Sequence, residues 1–472
     1  MSNRNTFYNP YYFVWFVDRA QVKDDPELGD RPPRGIDRLA GNQVRGVIRV
    51  EMTAVTDLLV PDHSRATRKG EHKVLPVRLV DRKPYLPPTS VKGMIRSVFE
   101  TVTLSRMGVF RPAEVTRKVP RGAGRSRARK DPFSVQPPAL AAADRVQPAA
   151  KPDEMSMADR VFGWVSDAGS GAFAGRVRIG RVEPVGEVRP KAVRYTLALS
   201  SPRPEYARFY TRRNNGQWGK GKREEIGYAA EGARLTGRKV YPHHREILEG
   251  ARTAEASAST VTFDGVIPAG SEFEFEIRFE GLSRAEAGAL LWSIDPGDPE
   301  FHHRFGGGKP YGFGSVKLSC QAVRIESGSD VAARYRTGIS ESGLTIEELI
   351  GAFRESFENA TGTSLERHST VRAILAAGRG FPDISYPRTL EQMANGRFDE
   401  AFKWFVSNEN EKIADSRQAL PKLVEGMAPL RALPGRPPRS SGQRGGGGGP
   451  RDGGRRQGGR KRGSGGRPRG RR

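Results

Sequence analysis

Between Val44 and Leu59 polar and apolar positions alternate. Val47, Arg49 and Glu51 share one parity and Ile48, Val50 and Met52 the other, which predicts a strand with one buried face. The next pattern has a different period. After the stiff approach Pro84-Tyr85-Leu86-Pro87-Pro88, residues Val91, Met94, Ile95, Val98 and Phe99 recur every three to four positions. That spacing predicts an amphipathic helix over about 90–107, with Thr89 and Ser90 as natural N-caps. Alternation returns at Arg176-Val177-Arg178-Ile179-Gly180-Arg181-Val182, a predicted strand with one basic face. Val261 to Phe263 and Phe273 to Phe279 predict strand again, and Leu282 to Ile294 a short helix capped by Ser283. The glycine-rich stretch 305–314 then runs into a last strand ending near Ile325.

With the irregular segments set aside, the order is strand–helix–strand–strand–helix–strand. This is the βαββαβ plan of an α+β, ferredoxin-like or RRM-type core, a four-stranded antiparallel sheet with two helices on one face. The expected organisation is an aromatic N-terminal arm and loop (1–43), then the RRM-like domain (44–325) with insertions at 108–155 and 190–256. A small helical appendage (326–434) and a disordered Gly/Arg-rich tail (435–472) follow. The chain has 472 residues and a formal charge of +25, which points to a polyanionic partner, nucleic acid before membrane. The tail alone carries 13 basic residues and one aspartate, so about half the excess charge lies in the body. A single cysteine, Cys320, rules out an intramolecular disulfide framework, and there is no apolar run long enough to span a bilayer. A cytoplasmic protein is expected.

Several stretches could carry chemistry. The start of the 90–107 helix combines orphan amide groups with Ser90, Lys92 and Arg96, and Gly93 leaves room for close approach, as a phosphate cradle requires. An ordinary capped helix is the competing reading. Gly306-Gly307-Gly308-Lys309 is not a P-loop, because Pro310 stands where a hydroxyl is needed, and it precedes a strand rather than a helix. Its glycines would instead let a backbone run close under phosphates and sugars, with Lys309, Tyr311 and Phe313 supplying charge and stacking faces. The string Lys309 to Gly314 looks like an RNP1 motif but falls on the fourth strand rather than the third, which discounts it. The basic insertion around Arg117 to Lys130 fits a polyanion or simple solvation. In the 190–256 insertion, Tyr206 to Trp218 and Arg238-Lys239-Val240-Tyr241 interleave aromatics with cations, suited to stacking on bases or to a self-supporting hairpin. The pairs His243-His244 and His302-His303 cannot both face one ion from a strand, so no metal site is expected. Asp62, Glu71 and His72 in the loop 57–81 are the candidates for acid–base work on RNA.

Three motifs in one order resemble the RAMP superfamily of CRISPR-associated proteins. Pro87-Pro88-Thr89-Ser90-Val91-Lys92-Gly93-Met94-Ile95-Arg96 is similar to its Pro-Gly-Ser-Ser-x-Lys-Gly-x-x-Arg signature. Val161-Phe162-Gly163 is similar to its Leu-Phe-Gly element, and Phe305 to Gly314 to its hallmark glycine loop. The N-terminal Asn9 to Val14 and the segment Arg238 to His244 suggest a large-RAMP subfamily of type III loci. The resemblance implies a backbone subunit of a type III effector in antiviral defence, whose copies assemble filament-like along a CRISPR guide RNA with other effector subunits and meet a complementary target RNA. It assigns Ser90, Lys92, Arg96, Gly306, Gly307, Gly308 and Lys309 to guide phosphates, and the residue pattern adds Arg238, Lys239 and Tyr311 as RNA-binding candidates. It implies a thumb in 195–256 and a palm lined by Asp159 to Gly175. Two departures stand out. Pro88 replaces the signature glycine, and the Asp that cleaving members place ahead of Pro76-Val77 is absent from register. Target cleavage, with Mg²⁺ as its cofactor and Asp62, Glu71 or His72 in the role, therefore stays an open alternative. So do an endoribonuclease processing guide precursors and a general RNA-binding protein driven by its RGG-type tail.

Overall fold

The computed structural model describes residues 5–110, 139, 146–199, 204, 206–219, 226–247, 254–338, 343–395, 401–409 and 417–434, apart from positions 23, 38, 167, 168, 170, 214, 215, 258 and 259. Most of the 108–155 insertion and the whole Gly/Arg-rich tail lie outside these residues. Among the described residues no helix is long and apolar enough to cross a membrane.

The alternating stretches become strands. In chain order the elements that place the site are β1 (Tyr12–Trp15), β2 (Val44–Ala54), β3 (His72–Pro76), α1 (Pro88–Val102) and α2 (Met157–Phe162). They continue as β4 (Val177–Ile179), β5 (Lys191–Leu197), β6 (Gly237–Val240), β7 (Val261–Val266), β8 (Glu272–Leu282), α3 (Arg284–Ile294), β9 (His303–Arg304) and β10 (Ser315–Ser327). The main sheet has the order β4–β8–β2–β10–β9, every pair antiparallel. Its period-two pattern sends Ile48, Val50, Met52, Phe273, Phe275, Ile277 and Phe279 into the core and leaves Arg49, Glu51, Glu272, Glu274, Arg278 and Glu280 in solvent. The outer sheet face is therefore a charged surface of both signs rather than an aromatic platform.

α1 buries Val91, Met94, Ile95, Val98, Phe99 and Val102, the stripe read from the sequence. It starts one residue earlier than its expected caps. Pro87 is the N-cap and Pro88 the first helical residue, so Thr89 and Ser90 sit in the first turn and no side chain caps the helix. A proline there fits, since the amide it lacks would have been an orphan. α1 also ends at Val102, short of the expected 107, where Leu104 takes a positive φ of 51°. α3 begins as expected: Ser283 and Glu286 form a capping box.

A second sheet has only one strand, β7, that the sequence pattern predicts, at Val261 to Phe263. β5–β7–β3 continue into residues 67–69, with β7 and β3 parallel and β5 and β7 antiparallel. Pairing between strands as far apart in the chain as β3 and β7 leaves no local trace, so β3 and β5 read as loop and insertion from sequence alone. The sheet closes over a small core of Leu59, Leu75, Leu197, Phe263, Val266 and Phe313, and the last of these comes from the glycine loop. β6 pairs with β1, which stitches the 190–256 insertion to the aromatic N-terminal arm.

After β10 come α4 (Gly328–Thr337), α5 (Ile346–Thr361) and α6 (Ser369–Arg379). Phe353, Phe357, Val371, Ile374, Trp404 and Leu430 join Phe7, Ile48 and Phe99 in one core, so the C-terminal helices share the core of the sheet. α3 lies between the sheet and α5 and buries every residue from Ala285 to Ile294. The crossing of α3 and α5 depends on Gly288, where an added Cβ would overlap the Leu349 carbonyl. Gly288→Ala must push α5 outward and is expected to destabilise the protein by about 2–4 kcal/mol, read as a lower denaturant midpoint.

Candidate nucleic-acid interface

The loop between β9 and β10 is built on close backbone contact. Gly306, Gly308, Gly312 and Gly314 all have positive φ, from 65° to 89°. The Gly307 amide donates to the Leu59 carbonyl (2.8 Å), the Gly314 amide to the Asp57 carbonyl (3.0 Å), and the Thr56 hydroxyl to the Gly312 carbonyl (2.9 Å). A Cβ at Gly306 would come within 2.6 Å of the Leu59 oxygen. The glycines thus bring the loop against the segment that leaves β2. Phe313 plugs the small core beneath, and Lys309–Tyr311 form a single 3₁₀ turn above it. Arg304 secures the loop from inside, donating to the carbonyls of Lys309 and Phe313 (both 2.8 Å) and to the Ser315 hydroxyl.

This loop forms one wall of a cleft of about 620 Å³. Ser90, Gly93 and Ser97 of α1 form the next wall, with Ile374, Ala377 and Gly378 of α6 beyond them. Lys239 and Tyr241 of the insertion, His63 of the loop after β2 and Arg78 of the segment after β3 complete it, above a floor that includes His302, His303 and Arg304. Among the described residues the lining holds Lys239, Lys309, Arg78 and Arg304 but no Asp or Glu. Neither lysine ammonium has a hydrogen-bond or ion-pair partner among the described residues. Burial, and for Lys309 also the neighbouring Arg304 guanidinium, pushes both lysines down to about 8, and burial pushes Arg304 down to about 9. His243 stacks on His302 with ring centroids 4.1 Å apart, and burial holds both below the usual imidazole range. These cations lack compensating carboxylates, and a polyanion would supply the missing charge.

The structure divides the residues picked out by sequence. Ser90, Gly306, Gly307, Lys309 and Lys239 meet around the cleft. Gly308 lies buried beneath the loop, and Tyr311 is half-buried with its hydroxyl donating to the Ala198 carbonyl (3.2 Å). Lys92, Arg96 and Arg238 turn elsewhere. The Lys92 ammonium donates to the Val177 carbonyl of β4 (2.9 Å). Arg96 bonds Glu100 (2.7 Å), the Gly163 carbonyl (3.2 Å) and Asp159 (3.4 Å). Arg238 pairs with Glu100 (2.8 Å). These three cations clamp α1 to β4, α2 and β6.

The acid–base candidates occupy three different settings, none lining the cleft. Asp62 caps a 3₁₀ turn, accepting from the Ser64 amide (3.0 Å) and hydroxyl (2.6 Å), and those bonds hold its carboxyl below the usual range. Glu71 is exposed in the turn that leads into β3. His72 is buried, with one ring nitrogen at the Thr262 hydroxyl (2.9 Å) and the other at the Ser257 carbonyl (3.1 Å), so it braces β3 against β7. Among the described residues no group of three or more His, Cys, Asp or Glu could hold a metal ion. Sequence reading missed Arg304, Arg78 and the α6 wall, which reach the cleft only through long-range packing.

The sequence matches the RAMP superfamily over residues 51–317, more than half the chain. The protein belongs to that family. Among solved structures the chain is similar to a chain of a Type IV-B CRISPR complex at 15% identity, over 59% of this chain and 91% of that one, with a TM-score of 0.26. No curated protein matches it.

Proposed function

We propose that the protein is a guide-RNA-binding subunit of a CRISPR effector complex, built on a ferredoxin-like core. In its cleft the Ser90 face of α1 and the glycine loop grip the guide backbone. The observation that carries this reading is a cleft lined by Lys239, Lys309, Arg78 and Arg304 with no carboxylate among the described residues. RAMP membership and the ordered motifs support it. The motif variants favour a type III assembly in which successive copies sit along one guide, with a complementary target RNA as the second strand. Lys92, Arg96 and Arg238 then act as positioning residues that fix α1 beneath the guide. The thumb expected in 195–256 would be the part of that insertion beyond its stitch to the N-terminal arm.

The test is the RNA that copurifies. Wild-type protein is expected to carry RNAs of defined length sharing repeat-derived 5′ ends, and a Lys239→Ala/Lys309→Ala variant to carry little. Heterogeneous cellular RNA in the wild type would sink the guide-binding claim. Metal-independent cutting of a repeat-containing precursor, lost in His63→Ala, would instead favour the nuclease alternative, since His63 lines the cleft.

The two lysines also set a pH dependence. Each sits near 8 in the free protein, and a bound phosphate favours the charged form. RNA affinity at fixed ionic strength should therefore fall as pH rises through about 8, well below the usual lysine range. Stability of the free protein should move the other way. Between about 8 and the ordinary lysine value the unfolded chain binds more protons than the folded one, so these groups make stability rise with pH. Binding isotherms and thermal melts across that window check both signs.

A further inference from the structure

One end of the cleft is unlike the rest. The Lys239 ammonium lies 3.8 Å from the centroid of the Tyr11 ring, 5.4 Å from Tyr241 and 5.9 Å from Tyr210. Tyr386 stands 5.4 Å from Tyr311, and the phenols of Tyr386 and Tyr241 both act on that of Tyr11. Three tyrosines thus face one lysine, and Tyr386 and Tyr311 extend the cluster, so that it draws on the N-terminal arm, both arms of the insertion, the glycine loop and the segment after α6. All five are half-buried. The hydroxyls of Tyr241 and Tyr386 have no hydrogen-bond partner among the described residues, and Lys239 meets ring faces instead of a carboxylate. The Tyr311 hydroxyl is taken by the Ala198 carbonyl and those of Tyr11 and Tyr210 bond each other, so what a purely structural cluster would not need is the two open hydroxyls of Tyr241 and Tyr386 and an ammonium without a carboxylate. Phenylalanines would fill the same space, and a carboxylate would stabilise the lysine. Partly exposed rings beside an uncompensated cation match the two halves of a nucleotide, one for its base and one for its phosphate.

Resting on the guide-RNA reading of the cleft, we infer that this tyrosine basin is a nucleotide subsite in which Lys239 holds a phosphate of single-stranded RNA while Tyr241 stacks on the unstacked base beside it. Tyr241 is the ring that lines the cleft itself. Tyr11 and Tyr210 hold Lys239 from behind, and Tyr386 closes the side next to Tyr311. Stacking tolerates any base, so the subsite adds affinity without reading sequence. Lys239 adds charge, so its part is salt-dependent and that of Tyr241 is not.

The test uses full-length protein freed of RNA and two probes: a single-stranded RNA oligonucleotide, and the same backbone with abasic riboses. Wild-type protein should bind the first about tenfold more tightly, the size of one base–aromatic stack. Tyr241→Ala should erase that preference and leave the salt slope unchanged, Tyr241→Phe should keep it, and Lys239→Ala should lower the slope by about 0.7. Wild-type protein irradiated with thiouridine-substituted RNA should crosslink in the peptides carrying Tyr241 or Tyr386, a readout independent of any variant's folding. The inference is overturned if folded Tyr241→Ala keeps the base preference, or if the crosslinks fall only elsewhere. If that happens while Lys309→Ala still lowers the salt slope, the basin fails and the cleft reading stands. If neither lysine changes the slope, both fail.

Discussion

Glu286→Ala is expected to destabilise the protein by about 3–5 kcal/mol, the cost of leaving a buried charge without its partner. Arg160 of α2 is buried, and its guanidinium makes four bonds. It donates to Glu286 of α3 (2.9 Å), to the carbonyls of Gly29 and Met155 (both 2.9 Å) and to that of Glu27 (2.6 Å). Among the described residues Glu286 is the carboxylate that pairs with it directly, with the Glu27 charge nearby, and Glu286 also accepts from the Ser283 amide (3.0 Å) as part of the α3 capping box. Burial alone would raise the Glu286 carboxyl, but Arg160 and the Ser283 amide outweigh it and hold the group below the usual range. A lowered carboxylate stabilises above its unfolded pKa and loses that contribution as pH falls through the folded value. The difference between wild type and Glu286→Ala should therefore be full near neutrality and shrink in acid. Glu286→Gln, which keeps the capping bond but not the charge, should fall between them. Urea melts at several pH values measure this, and equal stabilities at neutral pH would show that Arg160 finds compensation elsewhere.

The same pair explains what is and is not legible in the sequence. Asp159-Arg160-Val161-Phe162-Gly163 stands out as a motif but not as a hub, because Glu286 is 126 positions away and nothing local announces it. β2, β8, α1 and α3 are legible because each has a pattern of its own and packs against a single core. β3 and β5 are not, because their partners are distant and their burial is partial. The flanks of α1 carry a further signal. Residues 90, 93 and 97 follow helical spacing along one flank of the apolar stripe, and 92, 96 and 100 along the other. Positions 90 and 92 lie about 200° apart on a helix, so Ser90 and Lys92 could never grip the same phosphate. In the folded protein the two flanks do different work. The small residues face the cleft, while the flank of Lys92, Arg96 and Glu100 binds β4, α2 and Arg238. The unusual Pro88 fits the same picture, since it opens α1 at a position where its missing amide costs nothing.

Removing both unpaired ammoniums should have the largest effect on RNA. Lys239→Ala/Lys309→Ala is expected to weaken binding of single-stranded RNA by about 100-fold, since each charge-assisted contact is worth about 1.5 kcal/mol or more. The slope of log affinity against log salt should drop by about 1.4, at about 0.7 per phosphate released. Arg49→Ala removes one positive charge from the outer sheet face and serves as the comparison. It should shift binding weakly, because an exposed charge in a mixed surface acts only through screened fields. Deleting 435–472 removes far more charge than either variant. If the tail drove binding, that deletion would abolish it and the double variant would change little. If the cleft drives it, the deletion lowers affinity while the remaining binding keeps its dependence on Lys239 and Lys309. The contrast is sharp because cations scattered over a surface bind in proportion to their number. Two cations fixed in a cleft without carboxylates, each pushed down to about 8 by burial, gain more per residue from a phosphate than a solvated charge of the tail would.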